Sequence, residues 1–312
     1  MRSIESLRIT ESSYKSNMGS AVTIGVFDGV HLGHQNLISQ VVQEANADKS
    51  CPTVITFLNH PASVLKDNFT TEFICSLEER IQLLKHLSIE QVIPISFDKQ
   101  VANLSAEQFI GLLQKTIKMQ KIVIGPDFAM GRNRSGSHIT LPKLAAKMGF
   151  QVKAINSVTD TSNIPISSTS IRKQIKSGDF KHVNSQLGRT FSLSGKVVEG
   201  MKRGRQLGYP TANLQIINPD IVIPADGIYA TRTSVDDKLY LSATSIGNQP
   251  TFGDNQRTIE SYIIDFAENI YGKKISIQFE KRIRDQKYFE STLELKKQML
   301  KDVEETQIIL SN

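Results

Sequence analysis

Tryptophan is absent from this 312-residue chain, and cysteine occurs only twice. The missing indole excludes little by itself. The two thiols, Cys51 and Cys75, form neither a CxxC pair nor a disulfide framework, so a reducing, cytoplasmic setting is expected. No run of about twenty apolar residues occurs, which argues against a membrane span. Residues 1–20 are polar and lack the apolar stretch of a secretory signal. Repeats and low-complexity tracts are missing too. What is present favours two domains over one, with 39% hydrophobic residues, enough for a core in each half.

Lys and Arg outnumber Asp and Glu by 37 to 31, a formal charge of +6. Such a balance favours anionic partners: nucleic acid, a membrane surface or nucleotide phosphates. The cations are spread along the chain. Their densest group, Lys202-Arg203-Gly204-Arg205, lies among glycines rather than aromatics. Phosphate binding fits that better than a groove-tracking nucleic-acid surface. Neither a nucleic-acid nor a membrane partner is expected, and the oligomeric state is not legible.

Hydrophobic periodicity divides the chain. Strands are predicted at 21–26, 52–58, 91–97, 121–125 and 150–155. Helices are predicted at 33–47, at 77–87 with Ile81, Leu84 and Leu87 on one side, and at about 105–118 behind a Ser105 N-cap. This β-α-β-α rhythm implies a parallel sheet with helices on its faces. Near residue 185 the pattern changes to short strands at 192–198, 227–235, 238–245, 259–266 and 274–282, then a helix at about 291–307. That reads as an antiparallel barrel or sandwich. The boundary is expected in the polar stretch 178–189, giving domains 1–184 and 185–312.

The strongest local signal in the first half is Gly25-Val26-Phe27-Asp28-Gly29-Val30-His31-Leu32-Gly33-His34. It follows a buried strand and opens a helix, where free N–H groups and the positive helix end converge on one spot suited to phosphate. Gly29 and Gly33 allow close backbone approach. His31 and His34, three apart, can share a side and donate to phosphate oxygens as charge moves onto pyrophosphate. Ile166-Ser167-Ser168-Thr169-Ser170-Ile171-Arg172 should begin another helix, with hydroxyls for capping or phosphate and Arg172 for charge neutralisation. Read blandly, it is an N-cap with a surface Arg. Thr56-Phe57-Leu58-Asn59-His60-Pro61 and Val123-Ile124-Gly125-Pro126-Asp127-Phe128-Ala129-Met130-Gly131 both follow strands, where open α/β sheets bind ligands. Taken singly, Phe57 and Phe128 read as core residues.

In the second half, the run from Gly195 to Asn213 carries glycines and cations in an anion-binding loop. It is not a Walker A loop. Thr211 and Asn213 alternate, so an extended segment points both to one side, with oxygens suited to Mg²⁺ beside phosphates. Alone, Glu260 is an outward-facing strand residue.

These motifs resemble known families. The histidine turn is similar to the HxGH signature of the nucleotidyltransferase superfamily, and 166–172 to its ISSTxIR motif. The segments at 57–61 and 125–131 look like FxxHP and GxDFxFG of FMN adenylyltransferases, with Met130 replacing the usual Phe. The run through Asn213 is close to GxxxGRxLGxPTAN of riboflavin kinases. That likeness continues through Asp226-Gly227-Ile228-Tyr229, Ser245-Ile246-Gly247-Asn248-Gln249-Pro250-Thr251-Phe252, Glu260 with Tyr262-Ile263-Ile264-Asp265-Phe266, Ile283-Arg284 and Phe289. The whole order resembles the bifunctional riboflavin kinase/FMN adenylyltransferase family. The resemblance implies a Rossmann-like nucleotidyltransferase domain followed by a β-barrel kinase domain with a terminal helix. The implied substrates and products are riboflavin, FMN, FAD and ATP, with Mg²⁺. It also implies roles. His31, His34 and Arg172 would stabilise leaving pyrophosphate, and Glu260 would be the base for the riboflavin 5′-hydroxyl. Phe27, Asp28, Gly29, Gly33, Ser168, Thr169, Gly204, Arg205 and Gly208 would contact nucleotide or phosphate. His60, Pro61, Asp127, Phe128 and Arg284 would lie by the flavin, and Thr211 and Asn213 by Mg²⁺. The rival expectations are a chain retaining one activity, and a flavin-responsive or RNA-binding module.

Overall fold

The structure is a computed structural model. It describes residues 18–67, 69–70, 72–160, 162–201, 203–249 and 254–311, without the side chains of Arg203, Gln249 and 254–256. Lys202 and the run Pro250-Thr251-Phe252 lie outside the described residues. Two compact units divide the chain at Ser168/Thr169.

The first unit runs β1 (Ser20–Ile24), α1 (Leu32–Ala47), β2 (Cys51–Phe57), α2 (Ala62–Leu65), α3 (Leu77–His86), β3 (Gln91–Ile95), α4 (Lys99–Asn103), α5 (Ala106–Ile117), β4 (Met119–Ile124), β5 (Ala129–Met130), β6 (Gly136–Ser137), α6 (Leu141–Met148) and β7 (Gln151–Ala154). Five strands pair in parallel in the order β3-β2-β1-β4-β7. All residues of β1 and β2 are buried, as continuous apolar runs covered on both faces require. Val22 and Ile24 pack with Phe109, Ile110 and Leu113 of α5, whereas Ala21 packs with Leu37, Ile38 and Val41 of α1. Ser105 caps α5 in a full capping box with Gln108. In α3 the buried positions are Arg80 and Leu84; Ile81 and Leu87 are only half-buried, so the apolar side read from spacing is shared with an arginine.

The second unit takes up α7 (Ser168–Ser177) after its first residue, then α8 (Phe180–Leu187), β8 (Phe191–Val198), α9 (Arg203–Leu207), β9 (Thr211–Ile216), β10 (Gly227–Val235), β11 (Lys238–Gln249), β12 (Asp254–Ile263), β13 (Lys274–Arg284) and α10 (Thr292–Ser311). The six strands close a barrel in the order β10-β11-β12-β9-β8-β13. Closure decides between barrel and sandwich and removes exposed edges. Two helices depart from the sequence reading. The glycine-rich run contains α9, and the polar stretch 178–189 contains α8. Polarity there misleads because α8 is amphipathic: Phe180, Val183 and Leu187 are buried. The Phe180 ring stacks on Phe279 at 5.1 Å and meets Tyr229 edge-on at 5.7 Å.

Phe180→Ala therefore leaves a cavity among aromatics and is expected to cost about 3–5 kcal/mol. Denaturant unfolding of the full chain, followed by intrinsic tyrosine fluorescence, measures it; an unchanged midpoint would remove α8 from the barrel core.

Candidate active sites

Strand order reverses between β1 and β4, and open α/β sheets bind ligands beyond strand ends at such a point. A cavity of about 350 Å³ lies there, lined by Phe27, His31, Gly33, His34, Asp127, Phe128 and Ser168 among others. The β1–α1 turn shapes it. Phe27, Gly29 and Val30 have φ of 51°, 75° and 41°, all left-handed. Around them Asp28 Oδ1 accepts from the Ile74 N–H at 2.8 Å, Cys75 Sγ accepts from the Gly29 N–H at 3.3 Å, and Ser168 donates to the Asp28 carbonyl at 2.9 Å. Asp28 is 2% exposed, so its carboxylate serves the chain. A Cβ on Gly29 would meet Ile74 at 2.9 Å.

His31 caps α1, its Nδ1 accepting from the His34 N–H at 3.4 Å. An accepting Nδ1 assigns the proton of the neutral ring to Nε2. The two imidazoles stack with centroids 3.7 Å apart, and Phe27 meets His34 edge-on at 5.2 Å. His34 Nδ1 is buried without a hydrogen-bond partner. Burial first, then the neighbouring His31 and Arg80, holds the His34 imidazole well below its usual pKa.

His60 and Pro61 are not brought to this cavity. His60 Nδ1 accepts from the Ala62 N–H at 3.1 Å and its ring lies against Phe69. Phe57 is a core residue; Phe128 packs on the core and also lines the cavity. Thr169 and Arg172 follow Ser168 along α7, Arg172 Nη2 bonding Thr169 Oγ1 at 3.4 Å. Sequence reasoning missed Asn156 and Ser157, which line the cavity just beyond β7, and His138, whose Nε2 lies 2.6 Å from the Gly125 carbonyl. The strand end before Asn156 was the available signal.

On the barrel, Glu260 lies opposite Asn213 in the β12–β9 ladder, with Thr211 two residues away on the same face. Thr211 donates to Glu260 Oε2 at 3.0 Å and Thr258 to Oε1 at 3.3 Å. A cavity of about 160 Å³ brings Glu260, Thr211 and Gly204 together with Ile228, Tyr262 and Arg284. A second, of about 290 Å³, holds Arg205 and shares Thr211 as a wall. Asn213 lies against Gly200, where a Cβ would come within 2.3 Å of its amide. Gly208 has φ 90°. Arg284 makes a two-point pair with Asp302 of α10 at 2.8 and 2.6 Å. Asp302 was missed, as were Leu295, Met299 and Val303 beside it in the 160 Å³ cavity. Their helical spacing was present but had no partner surface in the sequence to face.

A switch-point cavity with paired histidines and a barrel cavity with a hydrogen-bonded carboxylate define a two-domain, nucleotide-using transferase. The FAD synthetase family model matches residues 13–170 and the riboflavin kinase model residues 187–310. The bifunctional riboflavin kinase/FMN adenylyltransferase of Buchnera aphidicola subsp. Acyrthosiphon pisum is 36% identical over 291 residues, 92% of each chain. That of Bacillus subtilis is 35% identical over 298 residues, covering 94% of this chain and 93% of its own. A crystal structure named a macrolide-efflux protein from Streptococcus pneumoniae superposes with a TM-score of 0.87 at 31% identity, over 96% of this chain and 97% of that one. The chain belongs to the bifunctional riboflavin kinase/FMN adenylyltransferase family. It phosphorylates riboflavin to FMN and adenylylates FMN to FAD, with ATP as co-substrate. Among the described residues no helix is long and apolar enough to cross a membrane.

A free imidazole protonates near pH 6.5, and folded His34 does so only well below that. Its contribution to stability is therefore full above about pH 6.5 and is lost as pH falls, because the unfolded chain then binds the extra proton. His34→Gln should flatten the fall in Tm between about pH 7 and 5; an unchanged slope in thermal scans would contradict the assignment.

Proposed function

We propose that adenylyl transfer runs in the β1–β4 cavity, within domain 1–184, and phosphoryl transfer on the Thr211–Glu260 face, within domain 185–312. The carrying observation is the Thr211–Glu260 hydrogen bond at the wall between the two barrel cavities. A carboxylate so placed takes the proton of the riboflavin 5′-hydroxyl as its oxygen bonds to the γ-phosphorus and ADP leaves. Apolar Ile228, Leu295, Met299 and Val303 suit the flavin ring on one side, near Arg284. Arg205 suits ATP phosphates on the other, with the backbone at Gly204 and Gly208 joining it by family resemblance alone.

Mg²⁺ fits this face. Among the described residues no cluster of three or more His, Cys, Asp or Glu occurs. Thr211 and Asn213 offer hard oxygens, so phosphate and water would complete the shell, as Mg²⁺ prefers. Bound there, it would neutralise phosphate charge. In the first cavity an FMN phosphate oxygen attacks the α-phosphorus. His31 and His34, with Ser168 and the Phe27–Gly29 and Gly33 backbone, receive the charge of departing pyrophosphate; Thr169 and Arg172 enter by family resemblance alone. Asp127 and Phe128 stand at the cavity for FMN; His60 and Pro61 enter as its flavin-side neighbours by family resemblance alone. The setting proposed is cytoplasmic, without nucleic-acid or membrane partners.

Glu260→Ala is expected to lower FMN formation by about 10²–10⁴-fold while FMN-to-FAD conversion continues. His34→Ala should do the reverse, by about 10²–10³-fold. Incubation with riboflavin or FMN, ATP and Mg²⁺, followed by flavin separation, reads both; parallel loss of the two activities in either variant would sink the assignment.

A further inference from the structure

Arg80 is 1% exposed, yet no carboxylate pairs with it among the described residues. Its Nη1 donates to Thr56 Oγ1 at 3.2 Å and to the Phe57 carbonyl at 3.0 Å. Its guanidinium lies 5.3 Å from the Phe73 ring centroid, and its Nε is buried without a partner. Burying an unpaired charge is costly, so natural chains rarely do it without a compensating anion. The contacts also lead somewhere. Thr56, accepting from Arg80, donates in turn to the Val26 carbonyl at 3.0 Å. Val26 precedes Phe27, whose ring supports His34. A relay thus runs from α3 through the end of β2 into the turn that carries the histidines.

We propose that Arg80 is a positioning residue for adenylyl transfer. It clamps the His31–His34 turn through Thr56 and Val26, and it places a fixed positive charge behind that turn to favour the phosphate anions bound in front of it. The proposal rests on the placement of adenylyl transfer in the β1–β4 cavity. A guanidinium stays charged at any working pH, and in a dry surrounding its field reaches further than in water. The depressed basicity of His34 agrees, since Arg80 is one of its causes. The other ionisable groups around His34 are His31 beside it, Asp127 on the cavity wall, and Asp28, whose carboxylate is turned to the Ile74 N–H. Two of the buried side-chain polar atoms left without partners in this unit, His34 Nδ1 and Arg80 Nε, belong to this one electrostatic pair.

The test compares Arg80→Gln and Arg80→Lys in the full chain, with the riboflavin kinase rate of the same preparation as the control for intact protein. Arg80→Gln should lower kcat for FMN adenylylation by about tenfold or more and raise KM for FMN and ATP by a smaller factor. Its acidic limb in the pH–rate profile should move to higher pH, because His34 regains basicity. Arg80→Lys, which keeps the charge, should return the limb to the wild-type position. Wild-type kcat and limb in Arg80→Gln would overturn the proposal, as would limbs equally displaced in both variants. If Arg80→Gln is too unstable to assay, Arg80→Lys decides alone: a wild-type limb supports the charge and a displaced one refutes it. Normal FAD formation by His34→Ala would instead fail the site placement itself.

Discussion

The first candidate active site depends on a backbone held where side chains rarely go. Phe27 and Val30 occupy the left-handed region without being glycine, and Val30 is β-branched. Such residues cost about 1–3 kcal/mol each and persist only where the surroundings over-determine them. Here the surroundings are three hydrogen bonds drawn from distant sequence, at Ile74, Cys75 and Ser168. The strained turn aims both imidazoles at one cavity, and the segment before α3 holds it in place. Asp28 and Gly29 thus belong to the site through the backbone: one anchors it, the other leaves room for Ile74.

The barrel meets the same demand for placement with register instead of strain. Alternation along β12 sends Glu260 and Tyr262 to the cavity under α10, and Ser261 to the buried side. On that side Thr231, Thr233, Ser242, Thr244 and Ser261 are all fully buried and bond one another at 2.7–3.1 Å. Each hydroxyl is satisfied, so the network specifies the pairing of β10, β11 and β12 without leaving an orphan. A slip of one residue would invert the faces and carry Glu260 inward.

Most of the architecture was legible because its signals are local. Buried strands read as apolar runs, Ser105 as a cap, and His31 and His34 as neighbours by helical spacing. The contributions that escaped are those made by partners distant in sequence. Polar residues on α8 hide a face whose purpose appears only once Phe279 and Tyr229 are beside Phe180. Asp302 looks like any helical acid until Arg284 is placed against it. Arg80 shares the face of Leu84 and Leu87, but periodicity weighs side chains by polarity and knows nothing of the Phe57 carbonyl waiting above it.

Arg80, buried, and Arg284, half-buried, differ in how the chain treats their charge. Arg284 is neutralised by a bidentate carboxylate, is further fixed by the Asp285 carbonyl, and rests near Phe289. Its charge is largely cancelled at a distance, so its contribution is shape: it fastens α10 over the cavity in which Leu295, Met299 and Val303 form a wall. Arg80 bonds only neutral oxygens, so its field is not cancelled by the chain. A ring system needs a wall with the right contour, whereas a departing pyrophosphate needs potential. Under the proposed placement of the two reactions, the pairing of one arginine and the isolation of the other match what each cavity would stabilise.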